Sequence, residues 1–577
     1  MPEVVVIATQ HETAKQDIAA NITVVTREDI EKLPVSTVAE VLQYLPGVYL
    51  EFSGGLGSNA TGIRIQGSEA RHVAIYQDGV PLNQLANPQT DLSFIPINSV
   101  ERIEVYKGAA SSAWGSALGG VVNIITREPT PGKLISGDAR ISYGAFNTVK
   151  SSASLYGTKD RFGYLLSVTH DQTDGFTENT AYQQNAVYTK VHYDIGETGR
   201  LSFVFSDDEG QGSDPVRNFP AFWDEAQSKR TYQRLLFETQ LFNDWAFSTE
   251  IRHHRFQNLI EDVYPDRRDI FNDYVDETWG GGARLTYSKT ERHTFNIGFN
   301  GNVGSYDWQR YTQTYHTNNW AVFVNDTLRV GVFSLNAGVR YDNDNTFSGA
   351  VSPSIGVVYH VWQNKARLRL QVARGFSAPP ASWVHDPNFG NPDLKPETVL
   401  NYQIGAEIEP LKWLKLELSL FRADVDNLIR INLNTLTYEN IDKVVRQGIE
   451  STISAVLPLG FTASFSGSYV DVRNGRTDIV IQDIPRTLYT LQITHHYKWL
   501  SHSLSGTYTD HNSSFAETVD KIFVFNYHFN LKLPYGKPHF QVSLFGSVYN
   551  ATDAGYIYRN VWPKPRRWAE GGIRITF

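Results

Sequence analysis

The sequence predicts a 22-stranded antiparallel membrane β-barrel preceded by a small α+β domain, and three observations predict it. From Gly137 onward, apolar and polar residues alternate with a period of two, the mark of strands with one apolar face. The connections between these strands alternate short and long; ten short and eleven long ones make twenty-one, which join twenty-two strands. The residues before them follow a different pattern, with short strands and short helices mixed.

The composition suits this class. Aromatic residues make up 13% of the chain and charged residues 20%, with no Cys and a single Met. No apolar run approaches the ~20 residues of a membrane-spanning helix. A barrel instead places apolar side chains at every second position, so its hydropathy stays low, and aromatic girdles raise the Trp, Tyr and Phe content. A net charge of −9 argues against a nucleic-acid surface, which needs a basic stripe. Without Cys there is no disulfide framework, thiolate metal site or thiol nucleophile. The opening MPEVVVIATQ has no basic n-region or apolar h-region, so no signal peptide is expected on this chain.

In chain order, residues 3–9 (EVVVIAT) form a β-prone run at a terminus, where fraying is the ordinary outcome. Thr26 is a candidate helix N-cap, with Asp29 as its acidic partner three residues on. Residues 38–45 have helical spacing, ended by Pro46 and Gly47. Strands are expected at 63–66, 73–77, 103–106 and 121–125, and Asp78-Gly79 is a hairpin-type turn. Residues 99–127 read SVERIEVYKGAASSAWGSALGGVVNIITR: a strand, a tight small-residue linker and a second strand, with Gly115, Gly119 and Gly120 permitting close backbone approach.

In the barrel region, Leu414, Leu416, Leu418 and Leu420 alternate with Lys415, Glu417 and Ser419, and Phe333, Leu335, Ala337 and Val339 behave alike. Short connections are expected near 157–161, 194–198, 243–245, 288–293, 330–331, 363–365, 409–412, 458–460, 498–500 and 534–537. Long polar ones are expected near 144–148, 171–184, 206–229, 257–277, 304–316, 342–349, 375–396, 424–445, 472–485, 510–519 and 550–567. Residues 568–577 form the closing strand and end on Phe577. Twenty-two strands ~4.8 Å apart and tilted ~45° close to a diameter of roughly 48 Å. A 130-residue domain is roughly 36 Å across and fits inside. Closure is obligatory, because an open edge in lipid leaves backbone groups unsatisfied.

The phrases RIEV, GAASSAWG and GGVVNIIT resemble the end of the plug domain in TonB-dependent outer-membrane receptors. LQYLPGV, IRIQG and VAIYQDGVPLN resemble further plug landmarks, with Gln66 standing where the family usually has arginine. Phe577 resembles the family's C-terminal assembly signal. The resemblance implies a TonB box at residues 1–10, a plug at 11–132 and the barrel at 133–577. It also implies a monomer in the bacterial outer membrane, processed at its N-terminus and carrying an added initiator Met. Glu3, Val4, Val5, Val6, Ile7, Ala8 and Thr9 would then bind TonB by strand addition to an exposed sheet edge. The implied function is active import of a scarce metal-chelate ligand, cobalamin or a ferric siderophore. Overall length, short loops and the spacing from Leu82 to Ser93 resemble cobalamin receptors, and a single Met argues against a copper route.

Candidate ligand contacts are the plug apices, through Ser53, Ser58 and Asn59 and through Asn83, Asn87 and Gln89, together with Trp383 and His385. The tryptophans Trp223, Trp308 and Trp383 could stack on a ligand, although rim aromatics are ordinarily girdle residues. FSAP and NPDL, at either end of the 375–397 loop, resemble landmarks that flank an axial His in haem receptors. Ser377 replaces the family's Arg there and the intervening loop is short, so His385 is taken as an ordinary loop residue and haem as the alternative. Asp171, Asp174, Glu178, Asp207, Asp208, Glu209 and Asp214 fall in two consecutive predicted loops. A solvated acidic rim is the ordinary reading. The sharper one is calcium held by Asp171, Asp174, Asp207, Asp208 and Asp214, since cobalamin receptors of the family use calcium in comparable loops. His72 is expected to be a hydrogen-bonded core or barrel-facing histidine. There is no G-x-S-x-G, H-E-x-x-H or P-loop, so no enzyme is expected. A passive plugged porin, with residues 3–9 a frayed tail, is the rival from another class.

Overall fold

A computed structural model describes the chain except residues 1–2, 53–59, 130, 214–216, 219–220, 291, 363–364, 514–520, 535–539 and 559–561. It is a closed antiparallel barrel of 22 membrane-spanning strands, running from Ser136–Gly144 to Trp568–Thr576. The last strand pairs with Gln541–Tyr549 on one side and Ser136–Gly144 on the other, which leaves the sheet no edge. Exposure is inverted relative to a water-soluble protein. Ile355, Leu370, Ile404 and Leu420 are exposed on the outer wall, whereas Asn296, Ser334, Ser352 and Glu397 are fully buried on the inner one. That is the expected inversion for a wall with lipid outside and a packed lumen inside.

Several stretches expected to be long loops are strands. The segment at 206–229 stays paired through Ser213 and resumes at Ala221. At 257–277 the strands run to Val263 and from Arg268, and at 424–445 to Asn432 and from Thr437. The polarity was read correctly and its cause was not. A strand that continues above the bilayer meets water outside and polar groups inside, so both faces turn polar and the alternation fades. The connection at 144–148 is also short, a three-residue turn in which Phe146 and Asn147 take positive φ.

The N-terminal domain fills the lumen. Its five-stranded sheet runs in the order Asn21–Thr26, Val100–Lys107, Gly120–Thr126, Val73–Gln77, Val80–Pro81. The helix Arg27–Glu31 starts with the expected Thr26/Asp29 capping box, and Val38–Leu42 has a second one from Thr37 and Glu40. Gly119 packs where a Cβ would lie 2.6 Å from Ser68 and 3.0 Å from His72. The domain's apolar core is continuous with the barrel's Leu165, Tyr188, Val204 and Tyr232, so plug and wall share one interior.

Candidate functional site

Two buried barrel carboxylates anchor the plug. Glu397 accepts from Arg71 Nη2 at 2.7 Å and Nε at 3.2 Å, and from the Ile429 amide at 2.8 Å. His72 Nε2 lies 2.8 Å from the same carboxylate, which is the hydrogen-bonded setting expected for this residue. Glu450 accepts from Lys107 Nζ at 2.8 Å, Gln66 Nε2 at 2.9 Å and Asn21 Nδ2 at 3.1 Å. Gln66, the departure from the family phrase, is thus used directly against the wall.

The N-terminal segment is folded into the lumen. Val4–Val5 pairs antiparallel with Thr13–Ala14, and Val5 and Ile7 are fully buried. The Val6 and Ile7 amides donate to the Glu104 carboxylate at 3.1 and 2.9 Å. Trp114 Nε1 donates to the Ile7 carbonyl at 2.6 Å, and Lys15 pairs with Glu3 at 2.9 Å. Glu104 and Trp114 come from the RIEV strand and the small-residue linker, so the tightest part of the plug holds residues 3–9. No sequence signal announced this, because the partners lie about a hundred residues apart.

Beside this segment a cavity of about 710 Å³ separates the plug from the wall. Val6, Gln10, His11 and Glu12 line it, as do Arg102 and Trp114. Its wall lining extends from Arg200, next to a short turn, to Phe347, next to a long-side connection. It is strongly charged, with Arg234, Arg252 and Arg340 against Glu250 and Asp342.

On the long-loop side, the plug apex after Val80–Pro81 meets the helix Ala381–His385. The Ala381 and Ser382 amides donate to the Leu85 and Ala86 carbonyls at 3.2 and 3.1 Å, and the Leu85 amide donates to Asp276 at 2.6 Å. Rings gather around this junction. Tyr306 lies 5.8 Å from Tyr274 and from Trp308, Tyr315 stacks on His385 at 4.3 Å, and Trp383 stacks on Tyr438 at 4.5 Å. Arg71 sits 4.8 Å over the Trp383 ring, which links the junction to the Glu397 anchor. Burial lowers the His385 imidazole pKa below its ordinary value.

The predicted site residues fare unequally. Trp383, His385 and Trp308 belong to this aromatic junction, whereas Trp223 hydrogen-bonds to Glu225 at 3.2 Å. Asn83 is engaged inside the plug, accepting from the Ile75 amide and donating to the Val73 and Pro88 carbonyls. The Gln89 amide donates to the Asn87 carbonyl, within the apex itself. Ser53, Ser58, Asn59 and Asp214 lie outside the described residues.

The acidic residues expected to share a calcium are separated. Asp171 is buried on the inner face of the strand Phe162–Thr173, and Asp174 accepts from Asn147 at 2.6 Å. Asp207 and Asp208 are strand neighbours and so face opposite ways: Asp207 bonds Thr231, while Asp208 is buried beside Ser206. Among the described residues, no group of three or more His, Asp or Glu side chains converges as a metal site. Sequence reasoning missed Glu104, Glu397, Glu450 and the tyrosines of the junction. Their residue types were visible, and their partners were not.

The TonB-dependent receptor plug-domain model matches residues 14–121, and the TonB-dependent receptor-like β-barrel model matches residues 121–551. The chain belongs to the TonB-dependent receptor family. Its fold is similar to that of the ferric enterobactin receptor PfeA from Pseudomonas aeruginosa, at TM-score 0.82 and 17% identity over 100% of both chains. The ferric citrate transporter FecA, without ligand, matches at TM-score 0.82 and 17% identity over 97% of each chain. The FrpB iron transporter from Neisseria meningitidis matches at TM-score 0.80 and 15% identity, covering 97% of this chain and 100% of its own. A 22-stranded barrel of this family is an outer-membrane protein, and the family is one of receptors and transporters.

Proposed function

We propose that this receptor imports a metal chelate, with a ferric siderophore as the first candidate and cobalamin as the alternative. The observation that carries the reading is that Val5 and Ile7 are buried in the lumen and that the Val6 and Ile7 backbone is held by Glu104 and Trp114, beside the lateral cavity. The outer membrane has no ATP and no useful ion gradient, so the work of import must arrive mechanically. Ligand binds where the plug apex meets the aromatic junction and biases the plug toward a state that releases residues 3–9. Such a bias requires different ligand affinities for the two states. TonB then pairs with the freed strand and pulls, and the cavity, no longer lined by Val6, Gln10, His11 and Glu12, widens into the path past the plug.

Iron supply is favoured by the solved relatives, which are ferric-chelate and iron transporters. The ring-lined junction suits a chelate with flat aromatic groups. Calorimetry with ferric enterobactin, ferric citrate, cobalamin and haem, each with and without Ca²⁺, identifies the ligand and tests the calcium reading. Deleting residues 3–9 is expected to abolish uptake while the calorimetric affinity persists. Undiminished uptake by the deletion variant would make the protein a passive plugged porin.

A further inference from the structure

At the short-turn rim, two histidines face each other on the outside of the wall. Neighbouring residues fix the side of the sheet. Ser503 reaches into the lumen and donates to the Lys32 carbonyl of the plug, and its cross-strand partner Thr494 is buried. His495 and His502, each next to one of these residues on the strands Thr487–Tyr497 and Leu500–Asp510, therefore point outward. They are direct cross-strand partners, one row from the turn that joins the two strands. One row is two residues, about 7 Å along a strand and about 5 Å along the membrane normal at ~45° tilt. The pair thus lies at the periplasmic interface, within reach of water.

The hydrogen bonds fix where the protons sit. The Leu459 carbonyl can only accept, so its 3.1 Å contact with His495 Nε2 puts the proton there and leaves Nδ1 as a lone pair. His502 Nε2, 2.9 Å away, donates to that lone pair. His502 Nδ1 is then the acceptor of the Tyr527 hydroxyl at 3.3 Å. Phe461 stacks on the His495 ring at 4.1 Å and 17°, which holds its plane. Each imidazole therefore turns one nitrogen to the other ring and has its remote nitrogen oriented by an oxygen. Histidines that ligate metals are oriented in this way, through a bond from the nitrogen that does not touch the metal.

We propose that His495 and His502 chelate a divalent transition-metal ion, copper(II) or nickel(II) in preference to zinc. Imidazole is a good ligand for all three, so geometry decides. Bonds of about 2.0 Å at a right angle place two nitrogens ~2.8 Å apart, whereas a tetrahedral angle places them ~3.3 Å apart. The separation of 2.9 Å fits the square arrangement. Binding needs the one proton between the rings to leave the gap. It passes from His502 Nε2 to His502 Nδ1, where the Tyr527 oxygen changes from donor to acceptor, so both imidazoles stay neutral. Among the described residues no third His, Asp or Glu joins the pair, and the remaining positions are open to water. The pair faces away from the lumen, so the metal is a staple across the hairpin and not cargo.

Electron paramagnetic resonance of the full-length receptor tests this, in detergent, without a polyhistidine tag and titrated with copper(II) sulfate. The first equivalent is expected to give a tetragonal spectrum with splitting from two nitrogens. His495→Ala and His502→Ala are each expected to abolish that spectrum. Tyr527→Phe keeps both imidazoles, removes the group that orients His502, and is expected to weaken copper binding roughly tenfold. An unchanged heat-modifiable gel shift confirms that each variant barrel has folded. If an alanine variant fails to fold, the melting of that gel shift decides: copper is expected to raise its midpoint by several degrees in wild type and by less in Tyr527→Phe. A wild-type spectrum with fewer than two nitrogens overturns the proposal, as does the same spectrum in both alanine variants or an equal rise in Tyr527→Phe. Zinc displacing copper at equal concentration overturns it too.

Discussion

The plug is seated unequally on its two sides. Against the strands Glu397–Leu411 and Thr437–Leu457 it is fastened by Glu397 and Glu450, fully or almost fully buried, each satisfied by several plug donors. Against the strands from Gly199–Ser213 to Phe333–Asp344 it stands off behind the 710 Å³ cavity, and the N-terminal segment occupies part of that gap. One side resists removal because a buried charge left unpaired is costly. The other borders the cavity and is held by the shared apolar core at Val204 and Tyr232 and by hydrogen bonds such as those from the Leu85 and Ala86 amides to Asp276 and from Arg234 to the Asp78 carbonyl. On the proposed function, a pull on residues 3–9 acts first on the side that borders the cavity.

The largest blow to this contrast is Glu397→Ala. It removes the closest partner of the Arg71 guanidinium, which keeps Glu69 at 3.7 Å, and should cost about 3 kcal/mol of plug anchorage. Amide exchange around Arg71 and His72 should rise to match that on the cavity side; exchange confined to the old pattern would show that packing alone seats the plug. A smaller effect is expected from Trp114→Phe, which keeps the ring and removes the bond to the Ile7 carbonyl. Losing about 1 kcal/mol should raise the mobile fraction of a spin label at residue 6 about fivefold, with ligand affinity unaltered. An immobile label would shift the restraint to Glu104.

The smallest expected effect comes from pH. Burial would raise the Glu69 carboxyl pKa, but Arg64, Arg430 and Arg71 around it outweigh burial and hold it well below the ordinary carboxylate range. A carboxyl depressed on folding stabilises fully above its unfolded value of 4.5 and loses that contribution only as pH falls through its folded value. Exchange protection at residues 64–71 should thus be level from pH 7 to 4.5 and fall only well below that. Loss already near pH 5 would show that these ion pairs do not hold residues 64–71 in place.

Barrel class, strand number, the capped helix at Thr26 and the plug were legible in the sequence, because each depends on residues near one another along the chain. Period-two alternation is enforced by lipid on one side and lumen on the other, and a capping box spans four residues. Loop length was misjudged wherever strands rise above the bilayer, since water and lumen are both polar and erase the contrast that marks a strand. The paired carboxylates, the burial of Val5 and Ile7 and the scattering of the acidic residues over two faces were decided only by the tertiary structure. Each depends on distance through space between groups such as Ile7 and Trp114, or Arg71 and Glu397, and separation along a chain carries no information about that distance.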